Sequence, residues 1–551
     1  MLPENVCAQY AAGTAFACVK ARAACSRVRR YRTMHDGMAI VEIRVRTLAR
    51  NGILNIAGQA VPLLVGLVSV PIILHGLGTE RFGLLVFSWT LTGSFSVFDL
   101  GLSGAVTKFV AEALGRNDER SIPGIIWPAA AGQTAFGAAG AGALILLIPA
   151  LVTRFLNVSP ALHAEAILAF RLAGAMLPVM LLTNSFRGAL EAAQRFDVAA
   201  SVKSASSAST FLIPLLGVAA GWDLPEIISG LLVVRALLLA VLFVACARIL
   251  PILGHPVQVR PEGLRRLFGF GGWITVSALV GFAIIYGDRF VIGSALTMAA
   301  VSYYSVPLEL ISRLGLIAAT LAAVLLPAFS TLGGAGDLSR LGLLFGRSIK
   351  YVIVTTFPAF ALLAVFASEV LGVWLGPDAA THSGPVLRLL AIGAAFQVLA
   401  VVPASMVQGL GRPDLVAKFY LLQAPIYLGA LWWLVRRTGI DGVALAWSGR
   451  FAMEGLLLLW VAVRMGLWSW ATARALAGRI VAPVVGVCGL FTLIYALPVT
   501  MAQRIAIIAG LMLPFGWWVW TGALASEERR SMLDLASGWR RPPVPSAPPR
   551  Q

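Results

Sequence analysis

The sequence predicts an all-α polytopic membrane protein with about fourteen transmembrane helices. Of the 551 residues, 59% are hydrophobic and only 12% are charged, and the apolar segments continue almost to the end of the chain. A soluble protein of this length needs far more charged surface. A hydrocarbon core of about 30 Å, in contrast, requires helices of about 20 apolar residues. A further observation, an internal repeat, groups these helices into two halves.

Apolar runs of transmembrane length follow one another along the chain. They lie at 52–74, 83–107, 124–151, 166–190, 198–220, 226–247, 268–293, 299–328, 348–372, 385–409, 415–435, 441–463, 475–497 and 505–524. A short turn around 295–300 separates the seventh run from the eighth, so counts from twelve to fourteen stay open. The connections are too short to fold as independent domains.

The chain repeats itself at a constant offset of 217 residues. The matched pairs are Arg171 with Arg388, Arg195 with Arg412, Asp197 with Asp414, and Ala200 with Ala417. The offset spans about six helices, an even number, so both copies cross the membrane in the same direction. Parallel repeats among hydrophobic spans are typical of transporters. The Arg-x-Asp of each copy indicates either a gate contact or, as we favour, a basic loop whose Asp caps the next helix.

The repeat and the distribution of charge divide the chain into six predicted regions. These are a disordered, basic cytoplasmic tail at 1–47, a six-helix bundle at 48–250, a cytoplasmic linker at 251–266, a second six-helix bundle at 267–466, two additional helices at 467–525, and a cytoplasmic tail rich in Pro and Arg at 526–551. Lys and Arg collect in alternate loops, which places both termini in the cytoplasm. The net charge of +18 therefore reflects topology, and does not indicate nucleic-acid binding.

The first tail lacks the continuous apolar core of a signal peptide. We interpret it as a disordered segment, or as a stretch upstream of a true start at Met34 or Met38. Its Arg-rich, acid-poor composition leaves an organelle transit peptide as the alternative. The five cysteines and five histidines have neither a disulfide framework nor metal-ligand spacing. We therefore expect no metal, no cofactor and no catalytic residues. The sequence also contains no nucleotide-binding motif, which argues against direct use of ATP.

Charged residues within the predicted spans are costly in lipid and mark candidate functional positions. The arginines are Arg235, Arg289, Arg313 and Arg450, and the carboxylates are Asp99, Asp288, Glu309 and Glu454. Two pairs, Glu309 with Arg313 and Arg450 with Glu454, have the i,i+4 spacing of structural ion pairs, which is the alternative interpretation. Together, the four arginines predict a cationic substrate cavity, because guanidinium groups bind phosphate bidentately. A lipid linked through pyrophosphate is cargo that such a cavity would suit.

Three motifs carry a resemblance to a known family. They are Gly78 through Gly83 within GLGTERFG, Phe98-Asp99-Leu100-Gly101-Leu102 followed by Ala105, and Gly287-Asp288-Arg289 with Ile292-Gly293 and then Tyr303-Tyr304. With them the segment 51–113 resembles the N-terminal signature of bacterial polysaccharide-transport proteins. These are the O-antigen and exopolysaccharide flippases of the multidrug/oligosaccharidyl-lipid/polysaccharide (MOP) exporter superfamily. The resemblance covers roughly residues 48–500.

The resemblance implies a V-shaped pair of six-helix bundles in the bacterial inner membrane. It implies alternating access that carries undecaprenyl-pyrophosphate-linked oligosaccharide from the inner to the outer leaflet. It also implies coupling to an H+ or Na+ gradient, for which Asp99, Asp288 and Glu309 are the carboxylate candidates, while Glu454 is the ion-pair candidate beside Arg450. Expected partners are the lipid-linked cargo, membrane lipid, and the polysaccharide polymerase and glycosyltransferases of the same pathway.

Two alternatives remain open at the level of sequence. A MATE-type ion-coupled exporter of small molecules has the same fold. Such an exporter favours a net acidic, aromatic-lined cavity, whereas the charged residues predicted for this cavity are net basic. A membrane glycan polymerase or ligase usually carries a large outer loop with clustered acids or histidines. The predicted outer loops here have about ten residues or fewer, which disfavours the enzyme.

Overall fold

The computed structural model describes residues 64–93, 95, 99, 102–116, 118–250, 280–466, 474–524, 526 and 528–530. Every regular element within these residues is helical, so the predicted all-α class is confirmed. The helices are α1 Leu64–Leu77, α2 Thr79–Gly93, α3 Leu102–Gly115, α4 Pro123–Ala150, α5 His163–Ala175, α6 Leu177–Ala192, α7 Phe196–Ala219, α8 Leu224–Ile249, α9 at 280–295, α10 Met298–Leu314, α11 Leu316–Gly334, α12 Leu338–Val365, α13 Ala367–Leu375, α14 Pro377–Gly409, α15 Pro413–Arg464, α16 Ala482–Ala496 and α17 Met501–Trp518.

Nine helices in the described part of the chain are long and apolar enough to cross a membrane. The chain is thus a multi-pass membrane protein. The count of fourteen spans stays a prediction, because the first and seventh predicted runs begin outside the described residues. The predicted tail at 1–47 and linker at 251–266 also lie outside them, as does nearly all of the tail at 526–551, so the six regions stay predictions too.

Several long apolar runs are interrupted by a local change of backbone. Within α15, Gly439 has φ 64° and ψ −139°, a left-handed conformation that glycine adopts without a steric penalty. This residue divides α15 into two segments, as the predicted runs 415–435 and 441–463 require. The eighth run is divided at Gly315, where α10 ends and α11 begins, and α10 continues unbroken through Pro307.

The buried apolar side chains form two large cores that divide the molecule unequally. One core joins parts of α1, α2 and the helices α4 to α8 to most of the second half, the described residues 280–466. The other core belongs to the first half alone, the described residues 64–250, and includes Leu102, Ile126, Leu190 and Cys246. The two halves therefore share a core at one end of the molecule. At the end that carries Arg116 and Arg195, the first half has a core of its own.

The end at which the halves share a core, called the closed end below, is sealed by direct contacts. The backbone N–H of Asn157 donates to the carbonyl of Gly293 at 2.9 Å, and its side-chain amide donates to the carbonyl of Ser294 at 3.1 Å. The rings of Phe87 and Phe290 lie 4.9 Å apart between centroids. Hydrogen bonds and aromatic packing thus join α2 and the segment between α4 and α5 to α9.

The motif GLGTERFG builds part of the closed end. Gly78 has φ +77° and forms the turn between α1 and α2. Glu80 accepts a hydrogen bond from the backbone N–H of Ser159 at 2.9 Å, and Arg81 forms a salt bridge of 3.0 Å with Glu165. A methyl group at Gly83 would collide with the carbonyl of Met298 in the second half. This part of the motif therefore forms a turn, makes two polar side-chain contacts and lets two backbones approach closely.

Candidate substrate cavity

A cavity of about 470 Å³ lies between the two halves. Helices α1, α2 and α7 of the first half and α9, α10 and α13 of the second half line it. The lining residues are Gly66, Leu67, Val70, Phe82, Val86, Trp89, Thr90, Ser207, Thr210, Phe211, Tyr286, Arg289, Ser305, Val306, Glu309, Leu310, Arg313, Leu314 and Trp374. Its volume falls within the range of small-molecule sites, and its wall is largely apolar with few polar groups.

Arg313 and Glu309 line the cavity as an ion pair one helical turn apart on α10. The guanidinium donates to Glu309 Oε1 and also lies 5.3 Å from the centroid of the Phe211 ring on α7. The side chains are 29% and 40% exposed, respectively. Both charges are therefore accessible from the cavity, and Arg313 spans the gap between the two halves.

Arg289 lines the same cavity, but its counter-ion is held differently. Asp288 Oδ1 lies 3.2 Å from Arg289 Nη1, and Asp288 Oδ2 accepts a hydrogen bond of 2.8 Å from the Tyr304 hydroxyl. Asp288 is 1% exposed and Tyr304 is fully buried. Because both carboxylate oxygens have partners, Asp288 is fixed inside the second half, and it neutralises Arg289 from behind the cavity wall.

Arg235 lies behind the cavity wall of the first half. Its Nη2 donates to Thr210 Oγ1 at 3.4 Å, a long hydrogen bond, and Thr210 itself lines the cavity. The Nε of Arg235 is buried without a hydrogen-bond partner. The partner of Arg235 therefore lies on another helix, α7, and is a hydroxyl group rather than a carboxylate.

Arg450 does not line this cavity, which corrects the sequence-based placement. It is 9% exposed and packs over two rings of α15, with its guanidinium carbon 5.4 Å from the centroid of Tyr427 and 4.1 Å from that of Phe451. The two segments of α15 bury this face of the helix against each other. The predicted partner Glu454 is also buried, yet no salt bridge within 4.0 Å joins the two in the described residues. The carboxylate of Glu454 faces Tyr420 instead.

Asp99 belongs to a separate polar cluster in the first half. Its Oδ1 accepts from Gln133 Nε2 at 2.8 Å, and its Oδ2 accepts from the Ser103 hydroxyl at 2.7 Å. None of these three residues lines the cavity. The structure therefore brings Arg289, Arg313 and Glu309 together in the cavity wall, with Asp288 and Arg235 directly behind it, and leaves Asp99, Arg450 and Glu454 elsewhere.

The aromatic part of the wall was missed by the sequence reasoning. Trp89, Phe211, Tyr286 and Trp374 come from four different helices. Phe211 and Trp89 pack edge to face at 5.4 Å, and Arg289 lies 5.7 Å from the centroid of Tyr286. Only Tyr286 carried a usable signal, because it precedes Arg289 by three residues and so shares its helix face. The other rings are ordinary apolar residues until the helices are assembled.

The repeated Arg-x-Asp pairs are local. Arg195 Nε donates to Asp197 at 3.0 Å, and Arg412 Nε donates to Asp414 at 3.2 Å, in each case across two residues of the same chain segment. These side chains are about half exposed. The two copies therefore have matching geometry, and neither bond reaches the other half. This supports the structural interpretation of the repeat rather than a gate contact.

Within the described residues, no group of three or more His, Cys, Asp or Glu side chains is placed to hold a metal ion. The charged groups of the cavity wall are Arg289, Arg313 and Glu309. Asp288 and Arg235 lie directly behind the wall, so the three arginines and two carboxylates together carry one excess positive charge. Such a site can bind an anionic group by charge-assisted hydrogen bonds and can stack rings against its aromatic side.

The helices and the cavity between two halves define a polytopic membrane protein of the transporter type. Residues 77–378, more than half of the chain, match the family described as "Polysaccharide biosynthesis protein". The chain belongs to this family.

Individual relatives agree with this assignment. The chain is 28% identical over 419 residues to a protein of Shigella flexneri named "Putative O-antigen transporter", which covers 76% of this chain and 98% of the relative. Among solved structures, it is similar to the lipid II flippase MurJ in an inward closed conformation, with a TM-score of 0.64 and 14% identity over 85% of this chain and 98% of that one.

It is also similar to an inward-facing multidrug resistance MATE transporter of the MOP superfamily, with a TM-score of 0.62 and 16% identity over 76% of this chain and 99% of that one. At these identities the two structures establish the fold, which is the fold that the sequence resemblance implied.

Proposed function

We propose that the protein is a flippase for lipid-linked oligosaccharides in the bacterial inner membrane. It moves undecaprenyl-pyrophosphate-bound glycan repeat units from the inner to the outer leaflet by alternating access, for polysaccharide biosynthesis. The observation that carries this proposal is the cavity between the halves, in which Arg289 and Arg313 lie beside an aromatic wall. Family membership supports it, as does the named activity of the Shigella flexneri relative.

The chemistry of the wall suits this cargo. Guanidinium groups bind phosphate oxygens bidentately, and a low-dielectric surrounding strengthens the attraction. The neighbouring rings of Trp89 and Phe211 offer apolar faces on which a sugar ring can pack. Anionic and ring-shaped parts of one ligand would thus bind side by side.

The distribution of contacts supports alternating access. Hydrogen bonds and a shared core seal the halves at the closed end, whereas the end with Arg116 and Arg195 has a separate first-half core. With the termini in the cytoplasm, as the loop charges predict, the sealed end faces outward and the cavity faces the leaflet in which lipid-linked glycans would be loaded. Coupling to an H+ or Na+ gradient would use a carboxylate, and Glu309 is the one in the cavity wall.

A MATE-type exporter of small molecules is the second candidate, because the cavity is aromatic and contains Glu309. The excess of arginine over glutamate in the wall favours an anionic ligand over a cationic drug. A membrane glycan polymerase or ligase has less support, since the homologous proteins named above are transporters and flippases. Pathway polymerases and glycosyltransferases fit better as partners that supply and consume the cargo.

Complementation of a deletion strain tests the proposal. Deletion is expected to cause lipid-linked oligosaccharide to accumulate in the inner leaflet, and wild-type protein should reverse this. Arg313→Ala should lower the transport rate by about 10- to 100-fold, because a charge-assisted contact to phosphate contributes about 1.5–3 kcal/mol. Arg235→Ala, which acts through Thr210, should have a smaller effect of about tenfold or less.

Arg436→Ala is a matched control, because Arg436 packs on Trp432 at 4.0 Å outside the cavity. It should complement fully at equal expression. Full complementation by both Arg313→Ala and Arg235→Ala would contradict the role of the cavity. Failure of the deletion to accumulate lipid-linked glycan would contradict the proposed cargo.

A further inference from the structure

The two arginines of the cavity wall differ in how firmly their counter-ions are held. Asp288 is buried and has a partner at each oxygen, Arg289 at one and Tyr304 at the other. Glu309 lines the cavity with a side chain that is 40% exposed, and among the described residues its one hydrogen bond comes from Arg313. Of the two pairs, only the second can exchange its carboxylate for another anion without exposing a buried charge.

Ser305 lies on the same helix face as Glu309, one turn before it. It lines the cavity, is 4% exposed, and its hydroxyl is not in contact with any hydrogen-bond partner among the described residues. Side chains of a helix lean toward its N-terminus, so a glutamate reaches the residue four positions earlier without leaving a favoured rotamer. An unpaired buried hydroxyl is costly. A carboxylate that turns toward Ser305 would satisfy that hydroxyl.

We propose that Glu309 occupies the anion site of Arg313 in the empty protein and moves to the Ser305 hydroxyl when a diphosphate group binds Arg313. This inference rests on the proposed function and describes how Glu309 and the ligand would exchange at Arg313. The empty cavity would keep Arg313 neutralised, because an unpaired arginine in the membrane interior is costly. The loaded cavity would present Arg313 to the ligand and keep Glu309 hydrogen-bonded. Arg289 would stay paired with Asp288 throughout.

This exchange predicts opposite effects of two substitutions on the affinity for a diphosphate. Glu309→Gln removes the competing anion, so the affinity for a diphosphate should rise by at least about fivefold, the equivalent of an exposed ion pair of about 1 kcal/mol. Ser305→Ala removes the alternative partner, so the affinity should fall by about threefold or more. The tighter binding of Glu309→Gln should also slow release, and hence transport.

Binding of farnesyl diphosphate to the purified full-length protein tests this, with uncharged farnesol as the reference ligand. Tryptophan fluorescence is a suitable signal, because Trp89 and Trp374 line the cavity. Two controls match the substitutions. Ser302→Ala removes another buried, unpartnered hydroxyl of α10 that lies outside the cavity, and Glu112→Gln removes the carboxylate of an exposed i,i+4 pair with Arg116. Both controls, and farnesol with every variant, should show wild-type affinity.

The possible outcomes separate this inference from the proposed function. Wild-type binding of farnesyl diphosphate, with Glu309→Gln equal to or weaker than wild type, would overturn the inference and leave the flippase proposal standing. Absence of diphosphate-specific binding to the wild-type protein would overturn both. If Glu309→Gln does not fold, Glu309→Asp serves instead. Its shorter carboxylate pairs less well with Arg313, so it should bind more tightly than wild type, and weaker binding would again overturn the inference.

Discussion

The fifth and sixth predicted helices of the two halves show what the repeat shares and where it diverges. In the first half these are α7 and α8, and in the second half they are the two segments of α15. The offset of 217 residues aligns Thr210 with Tyr427, and each half has an arginine nearby, Arg235 and Arg450. Arg235 donates to Thr210 at the cavity wall, whereas Arg450 is buried over the Tyr427 ring.

This difference shows that an arginine in a transmembrane span does not by itself indicate a ligand site. A small hydroxyl side chain at position 210 leaves space between the halves, and this space becomes part of the cavity. The large ring of Tyr427 is buried instead and lies over the guanidinium of Arg450 in a cation–π contact. In this structure the arginine beside the small aligned residue lies at the cavity wall, and the arginine beside the large one lies in the core.

The largest expected effect is on stability at these two arginines. Arg450→Ala should lower the free energy of unfolding by about 3 kcal/mol, because it removes contacts with two rings and leaves a void in a packed region. Arg235→Ala should lower it by only about 1 kcal/mol, the contribution of one long hydrogen bond. Denaturant unfolding of both variants in the same detergent measures the difference. Equal losses of stability would mean that the two arginines have the same structural role, in contradiction to the contacts described above.

A second test exchanges residues at another aligned pair, Phe87 and Tyr304. Tyr304→Phe removes the hydrogen bond to Asp288 and should cost about 1–1.5 kcal/mol. Phe87 is fully buried between Phe170 and Phe290, so Phe87→Tyr would bury a hydroxyl among rings and should cost about 2 kcal/mol.

Thermal unfolding of the two single variants provides the measurement for this pair. A stable Phe87→Tyr protein would show that the first half contains a hydrogen-bond acceptor at the position equivalent to Asp288. The halves would then differ less in their buried polar groups than the structure indicates.

The smallest expected effect concerns the loops that the copies share. Arg195→Ala and Arg412→Ala each remove an exposed pair within one loop, and such pairs contribute little to stability. We expect unchanged unfolding midpoints and unchanged complementation for both variants. A marked loss of transport with unchanged stability in either variant would restore the interpretation of these loops as gate contacts between the halves.

Much of the fold could be predicted from the sequence, because each span must satisfy its own backbone hydrogen bonds in lipid and therefore needs a continuous apolar helix. The turn at 295–300 and the division of 413–464 into two segments agree with the predicted runs, the latter through Gly439. The ion pair of Glu309 with Arg313 also followed from local spacing, since four residues separate neighbours on a helix face.

The same spacing was misleading for Arg450 and Glu454, because nearby rings on α15 bind the guanidinium instead. Glu454 faces Tyr420 across the two segments of that helix. Such contacts between segments leave no periodic signal in the sequence. Only the packing shows which potential pair is formed.

The helical class, the membrane environment, the repeat and the charges within spans could all be read from the sequence. These depend on composition and on periodicities of a few residues, which are local properties. The packing of the helices was needed to show that Arg289, Arg313 and Glu309 face one cavity. It also showed that Asp288 lies behind the cavity with Tyr304, and that Arg450 lies in the core. Those placements depend on the sizes of side chains brought together from distant helices, and close packing of unrelated segments is a property that no single stretch of sequence contains.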